Sequence, residues 1–301
     1  MLKNRNHSKI SIVTPSFNQG QYIEAAISSV LSQGYPNLEY IIIDGGSTDN
    51  SVEIIRRYSN YLHFWCSEPD NGHYAAVNKG FEKATGDIFF WLNSDDMLCP
   101  DALETVGSIF SEFSEIAWLT TLQQFVWDSD GKCQLVKHMP GYSRDAFLDG
   151  HYMTRKFSGF GFIQQESTFW RRVLWEKVGG IRTSFALAGD FDLWARFFFF
   201  EKLYGVDQPL GGFRIHDKNR SRQANRYLHE AERSLEEMRR KLNWPVDARN
   251  NLFQGIINKW PALRRVAKYF NIAFSNKYVG ENIFQRDPSE GRRCQLKTVS
   301  F

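Results

Sequence analysis

The sequence predicts an α/β fold in which helices flank a mostly parallel central sheet, followed by a small additional sheet and a helical C-terminal extension. Three observations carry that expectation. From residue 10 to about 115, short β-branched runs alternate with segments of helical periodicity, the pattern left by βαβ units. Each of the first four runs stops in a polar loop, and open α/β sheets bind their ligands at the carboxyl ends of their strands. The 301 residues are 42% apolar and 15% aromatic, with 25 Phe, 12 Tyr and 9 Trp. That composition supplies a large core without disulfide or metal staples and excludes a chain that is disordered throughout.

The first strand is Ile10 to Thr14, stopped by Pro15. A helix follows over roughly 21–33, with Ile23, Ala26, Ile27, Val30 and Leu31 on one face, and Gly34 and Pro36 end it. Leu38 to Ile43 reads as a buried strand that runs into Asp44-Gly45-Gly46-Ser47-Thr48-Asp49, before a helix carrying Val52, Ile55 and Tyr58. A third strand, Leu62 to Cys66, leads through Glu68-Pro69-Asp70-Asn71-Gly72 to a helix over about 74–84. The fourth, Ile88 to Leu92, ends in Asn93-Ser94-Asp95-Asp96, and Pro100 opens the next helix. Beyond residue 115 the pattern changes. Trp118 to Thr121 and Gln123 to Trp127 read as strands, Asp130-Gly131 as a hairpin turn and Gln134 to Lys137 as the returning strand. Short helices are expected near 171–178 and from Asp190, and a charged helix over 221–242. The chain is therefore expected to comprise one body over 1–224, whose pattern changes between 1–115 and 116–224, and a basic helical extension over 225–301. The last fifteen or so residues are expected to be frayed.

Charge is unevenly distributed. Lys and Arg number 22 against 26 Asp and Glu over 1–224, and 15 against 8 over 225–301. A basic tail with aromatic residues suits an anionic membrane surface, or is simply a solvated helical face. Within it, 249–270 interleaves Leu252, Phe253, Ile256, Ile257, Trp260 and Leu263 with Arg and Lys, as an interfacial helix does. Nucleic-acid binding rests on this tail alone and lacks a stacking motif, so it is not expected. No uncharged apolar run reaches the length of a membrane span. The opening MLKNRNHSK has no secretory character, and Cys66, Cys99, Cys133 and Cys294 form no CxxC pair. A cytoplasmic protein, peripheral on the inner membrane face if the tail docks there, is the expectation.

The chemistry lies in carboxylates at strand ends. Gly159-Phe160-Gly161 lacks the third glycine of a dinucleotide fingerprint, and neither a GxxxxGK[ST] loop nor HExxH occurs. Asp95 and Asp96, adjacent after an apolar strand, repel each other, and a divalent cation shared with phosphate oxygens would relieve that cost; the alternative is an ordinary turn. Asp44 and Asp70 stand where an acidic residue can accept hydrogen bonds from a base or ribose, or can cap a helix.

Three pieces, IVTPSFNQGQYIEAAISSVLSQGYPNLEYIIIDGGSTDNS, SEPDNGHYAAVNKGFEKATGD and FFWLNSDD, together resemble family 2 of the inverting nucleotide-sugar glycosyltransferases, of the bacterial exopolysaccharide and O-antigen type. The likeness runs from Ile10 to about Asn219 and implies the GT-A fold, with its Rossmann-like sheet. It implies that Pro15, Ser16, Phe17, Asn18, Asp44, Asp70 and Asp95 contact the nucleotide with Lys79 near it, and that Asp95 and Asp96 form the motif for Mn2+ or Mg2+. The family often has Asp where Asn93 and Gly45 stand. Downstream, GDFDLW resembles the motif that supplies the catalytic base. Gln164, Gln165 and Glu166 resemble the acceptor-side segment, and His216 a histidine that sometimes reaches the metal or diphosphate; an ordinary polar strand-end residue is the alternative there.

The implied reaction is a single displacement from a nucleoside-diphosphate sugar to a hydroxyl of a glycan or polyprenyl-linked acceptor, with Asp190 as base and Glu166 as runner-up. Asp190 and Asp192 point to different faces of one helix, and Asp192 is free to pair with Arg196 four residues on. The helix N-terminus is expected to keep Asp190 ionised and to lower its pKa. A sugar nucleotidyltransferase would need a basic glycine-rich loop where Pro15-Ser16-Phe17-Asn18 stands. A non-catalytic sugar-nucleotide-binding module would have no use for Asp95, Asp96 and Asp190 together.

Overall fold

The computed structural model describes residues 7–153, 159–245, 278–285 and 294–301. Strands β1 (Ile10–Ser16), β2 (Leu38–Asp44), β3 (Phe64–Ser67) and β4 (Ile88–Trp91) alternate with helices α1 (Ile23–Leu31), α2 (Ser51–Arg57) and α3 (His73–Lys83). After β5 (Met97–Leu98) and α4 (Ala102–Glu112) come β6 (Trp118–Thr121), β7 (Gln123–Trp127), β8 (Cys133–His138) and α5 (Arg144–Leu148). The remainder is β9 (Phe169–Arg171), α6 (Arg172–Val178), α7 (Gly189–Phe200), β10 (Tyr204–Val206), β11 (Gly211–Arg214), α8 (Ala224–Lys241), β12 (Val279–Gln285) and β13 (Cys294–Ser300).

The main sheet has nine strands in the order β13-β12-β10-β6-β9-β4-β1-β2-β3. It is parallel except where β9 runs against β4 and β6 and where β13 runs against β12. A second sheet, β5-β11-β7-β8, is the expected small addition. Alternation along the buried strands divides the core between two faces. Ile10, Ile12, Tyr40 and Ile42 meet α1, α2 and α4 through Ile23, Ile27, Ile54, Leu103 and Val106. Val13, Ile41 and Ile43 meet α3, α6 and α7 on the other face, where Trp170, Trp175, Trp194 and Phe197 gather. Helix α3 lies close to the sheet because Gly80 has no side chain: a Cβ there would lie 2.3 Å from Cγ1 of Val13.

The helical expectation for the extension holds over α8, whose Leu228, Ala231, Leu235 and Met238 recur at helical spacing and bury against the second face. The expected fraying is not found over 294–301. Strand β13 pairs with β12 along its whole length, and β12 adds to β10 in the main sheet. The sequence signal is weak because Ile283 is the fully buried aliphatic of β12, while β13 is an edge strand with three of its seven residues exposed and none fully buried. The amphipathic stretch 249–270 lies outside the described residues. Among those described, no helix is long and apolar enough to cross a membrane.

Candidate active site

Four loops at the carboxyl ends of β1 to β4 form one wall of a crevice. The first two are stitched together. Asn18, at φ 52 in the left-handed region that asparagine tolerates, donates its N–H to Ser47 Oγ at 2.8 Å and accepts the Thr48 N–H on Oδ1 at 2.9 Å. Asp49 Oδ2 accepts the Gly20 N–H at 2.9 Å. Asp44 is fully buried beneath this loop pair. Its Oδ2 accepts the Ser47 N–H (2.8 Å) and the Ser67 hydroxyl (2.7 Å), and its Oδ1 accepts the Ser47 hydroxyl (2.5 Å). Asp44 thus folds the loop and offers no unengaged oxygen to the crevice. Phe17 and Asp70 do face outward. The Phe17 ring is 59% exposed, and Asp70 leans over Gly45 so closely that a Cβ on Gly45 would lie 2.9 Å from its Oδ2. Ser16 Oγ is buried without a partner. Lys79, on α3, is ion-paired with Glu68 of the third loop.

The fourth loop splits its two aspartates. Asp95 reaches the Nε2 of His216, just past β11, at 2.9 Å. Asp96 turns inward and is fully buried, with Oδ1 accepting the Arg214 N–H at 2.8 Å and Oδ2 accepting from Asn93 Nδ2 at 2.9 Å. Burial, then the nearby Asp95 and Glu166, hold its carboxyl well above the usual range. The pair expected to act together is therefore divided: Asp95 and His216 converge, and Asp96 anchors the loop to β11. Asn93 explains how. Its amide donates both to Asp96 and to Gln165 Oε1 (3.0 Å), while its own oxygen accepts the Trp91 indole N–H (2.8 Å). An aspartate at this position could not donate.

The His216 ring is held by Tyr22, whose centroid lies 4.5 Å away, and by the Lys218 N–H, 3.2 Å from Nδ1, so the ring proton sits on Nε2 facing Asp95. The Arg214 guanidinium lies 5.0 Å over the same Tyr22 ring, with Nε and Nη2 unpaired and burial lowering its pKa.

The opposite wall is built by the turn before β9 and by the start of α7. Gln165 donates to the Trp91 carbonyl and Gln164 to the Phe125 carbonyl at 2.7 Å, which pins the turn between β4 and β7. Glu166, buried beside them on this turn, is raised to about 7 by burial, with the Asp190 and Asp95 charges adding to the rise. Asp192 pairs with Arg196 at 2.9 Å and Arg182 at 3.4 Å, as its position four residues before Arg196 leads one to expect. Asp190, at the start of α7, lies within electrostatic reach of Glu166. One oxygen is buried without a partner, and the other is 3.4 Å from the Tyr227 hydroxyl. The expectation of a lowered pKa is corrected, because burial outweighs the hydrogen bonds and the helix end and pushes Asp190 up to about 6.

Sequence reasoning singled out neither Tyr22, Tyr74, Arg214, Tyr227 nor Glu230. Tyr74 brackets the start of α7, donating to the Leu187 carbonyl (2.5 Å) and accepting the Gly189 N–H (2.9 Å). Their signal is an aromatic or charged residue on an otherwise ordinary helix or strand, which periodicity alone assigns to core or solvent. Among the described residues, no group of three or more His, Cys, Asp or Glu is arranged to hold a metal by itself.

Residues 11–174 match the family described as Glycosyl transferase family 2. An uncharacterised glycosyltransferase of Rickettsia typhi is 26% identical over 233 residues, 77% of this chain and 72% of that protein. A Bacillus subtilis glycosyltransferase named for teichuronic acid biosynthesis is 39% identical over 98 residues, 32% of this chain and 39% of that protein. In structure, a mannosyltransferase from Pyrobaculum calidifontis, solved with GDP-Man and Mn2+, aligns with a TM-score of 0.54 over 88% of this chain and 84% of that one. At 15% identity this likeness speaks for the fold alone.

Proposed function

The chain belongs to glycosyl transferase family 2 and is a glycosyltransferase with a GT-A-like fold, and from that premise we propose the reaction it performs. It moves a sugar from a nucleoside-diphosphate donor to a hydroxyl of a glycan or lipid-linked acceptor, inverting the anomeric carbon, in surface polysaccharide synthesis. One observation carries this reading: Asp95 meets His216 at 2.9 Å, and the buried Glu166 lies within electrostatic reach of both Asp95 and Asp190. A group that holds a leaving diphosphate and a group that takes a proton from the attacking hydroxyl must lie on opposite sides of the reacting carbon.

The residues suit Mn2+ or Mg2+. A carboxylate oxygen and an imidazole nitrogen 2.9 Å apart converge on one point, where a cation would take the place of the ring proton. Asp95 and His216 would hold it, and bound there it would supply Lewis-acid stabilisation to the departing diphosphate. The Pyrobaculum neighbour, of like fold, was solved with GDP-Man and Mn2+, which accords with a divalent cation in such a site.

The chain's own groups account for the rest. The exposed Phe17 ring offers a stacking face to the base, and Asp70 an acceptor beside Gly45. Ser16 has an uncommitted hydroxyl at the end of β1, and Asn18 shapes the loop beside it. Lys79, held by Glu68, brings positive charge to the same end of the sheet. Asp190, desolvated and with one oxygen free, takes the acceptor proton late in the displacement. The Bacillus relative's name supports a role in surface polysaccharide synthesis.

The test is release of nucleoside diphosphate across UDP-, GDP- and dTDP-sugars, with and without a lipid-linked acceptor. At least one donor is expected to be turned over with Mn2+ or Mg2+, and excess chelator should abolish that turnover. Undiminished release after removal of all bound metal would overturn the metal assignment.

A further inference from the structure

Helix α8 lies beyond residues 11–174, the segment that matches the family, yet it contacts both Asp190 and the backbone that leads into α7. Glu230, from its middle, places Oε2 where it accepts three consecutive backbone N–H groups: Ala186 at 3.0 Å, Leu187 at 2.8 Å and Ala188 at 3.0 Å. These amides immediately precede α7, and Asp190 is the second residue of that helix. One turn earlier on α8, Tyr227 directs its hydroxyl at Asp190 Oδ2.

We propose that Glu230 and Tyr227 are positioning residues for the base, a role that rests on the assignment of Asp190 above. Two physical effects are combined. A carboxylate bound by three N–H groups fixes the path of 186–188 and therefore the direction in which Asp190 leaves the helix. The same charge occupies the electropositive end of α7, which would otherwise favour ionised Asp190 and weaken it as a base. Glu230 is itself kept ionised: burial opposes this, but the Leu187, Ala188 and Ala186 amides outweigh it and lower its pKa. Tyr227 acts in the opposite sense, since a hydroxyl donating to a carboxylate favours the charged form. The other ionisable groups around Asp190 are Tyr74 on α3, Glu166 on the turn before β9 and Arg220 on the loop after β11. Tyr227 meets Asp190 directly, whereas Glu230 acts on it through the 186–188 backbone.

The experiment compares Glu230→Ala, Glu230→Gln, Tyr227→Phe and Asp190→Asn with the wild-type chain, with Glu232→Ala, exposed on the same helix, as control. Turnover and KM are measured on whichever UDP-, GDP- or dTDP-sugar the wild type consumes, and amide hydrogen exchange is followed over 184–192 and 224–241. Glu230→Ala should lose protection at 186–188 while α8 stays protected, and kcat should fall about 10- to 100-fold with donor KM little changed, the effect of a misplaced catalytic group. In the pH profile of kcat, the acid limb should move to lower pH in Glu230→Gln and to higher pH in Tyr227→Phe. Wild-type kcat and limb positions in the α8 variants, with Asp190→Asn inactive, would overturn this inference and leave the base assignment standing. Normal turnover in Asp190→Asn would overturn both. Loss of protection throughout 224–241 in Glu230→Ala, with Tyr227→Phe and Glu230→Gln showing unshifted limbs, would reduce α8 to scaffolding and overturn it as well.

Discussion

Asn93 shows how one atom organises the donor wall. Its Nδ2 donates to Asp96 and Gln165 together, linking the loop after β4 to the acceptor-side turn. Asn93→Asp would remove both donors and set a further carboxylate against a buried one, costing about 1–3 kcal/mol. Urea unfolding measures this, and a midpoint equal to wild type would show that the network is dispensable. The residue scale also marks what sequence patterns can convey. Adjacent aspartates announced a charged site, but only the fold shows that Asp95 meets His216 while Asp96 is spent on the Arg214 N–H, because that partner lies 118 residues away. The direction of the Asp190 shift escaped for a similar reason. A helix end is visible in sequence, whereas the burial that outweighs it comes from distant elements.

Among the elements, α3 illustrates packing overriding propensity. Alanine is a better helix former than glycine by about 1 kcal/mol, so Gly80→Ala would stabilise an isolated helix. Here the added methyl would lie 2.3 Å from a methyl of Val13 and 3.3 Å from Ile43. Overpacking should therefore win, with a net loss of about 1–3 kcal/mol, read as a lower melting temperature. A higher one would mean that α3 can move away from β1 at little cost. The first four strands and their helices were legible because β-branched runs and apolar periodicity agree over the whole segment, and β6 and β7 were legible in the same way. Strands β9, β10 and β12 were not. Two are three residues long, and each is a strand through the partners it finds in the sheet rather than through its own pattern.

Across the whole molecule, the two ends of the sheet respond oppositely to pH. At the end away from the crevice, Glu39 is buried, which would raise its pKa. Donors from Lys9, Ser11 and Thr85 outweigh that and bring it to about 2. A depressed carboxylate stabilises the fold above its ordinary value of 4.5 and loses that contribution as pH falls toward 2. Asp190, raised to about 6, costs nothing when protonated in both states, costs progressively more as pH climbs from its ordinary 3.8 to about 6, and keeps that cost above it. Glu39→Gln should therefore melt lower than wild type at pH 7, the gap closing in acid. Asp190→Asn should melt higher at pH 8, the gap closing below about pH 4. Melting curves at several pH values check both signs, and a destabilised Asp190→Asn at pH 8 would contradict the picture of a strained base. The stability given up at Asp190 is the expected companion of a catalytic carboxylate held away from water. The most direct test of transfer across this crevice compares Asp190→Asn with wild type in donor affinity, by calorimetry with Mn2+ present, and in turnover on the same donor. Unchanged affinity with a loss of turnover of about a hundredfold or more is the predicted result for a removed general base. Near-normal turnover, with Glu166→Gln inactive but still binding donor, would contradict it and move the base to Glu166.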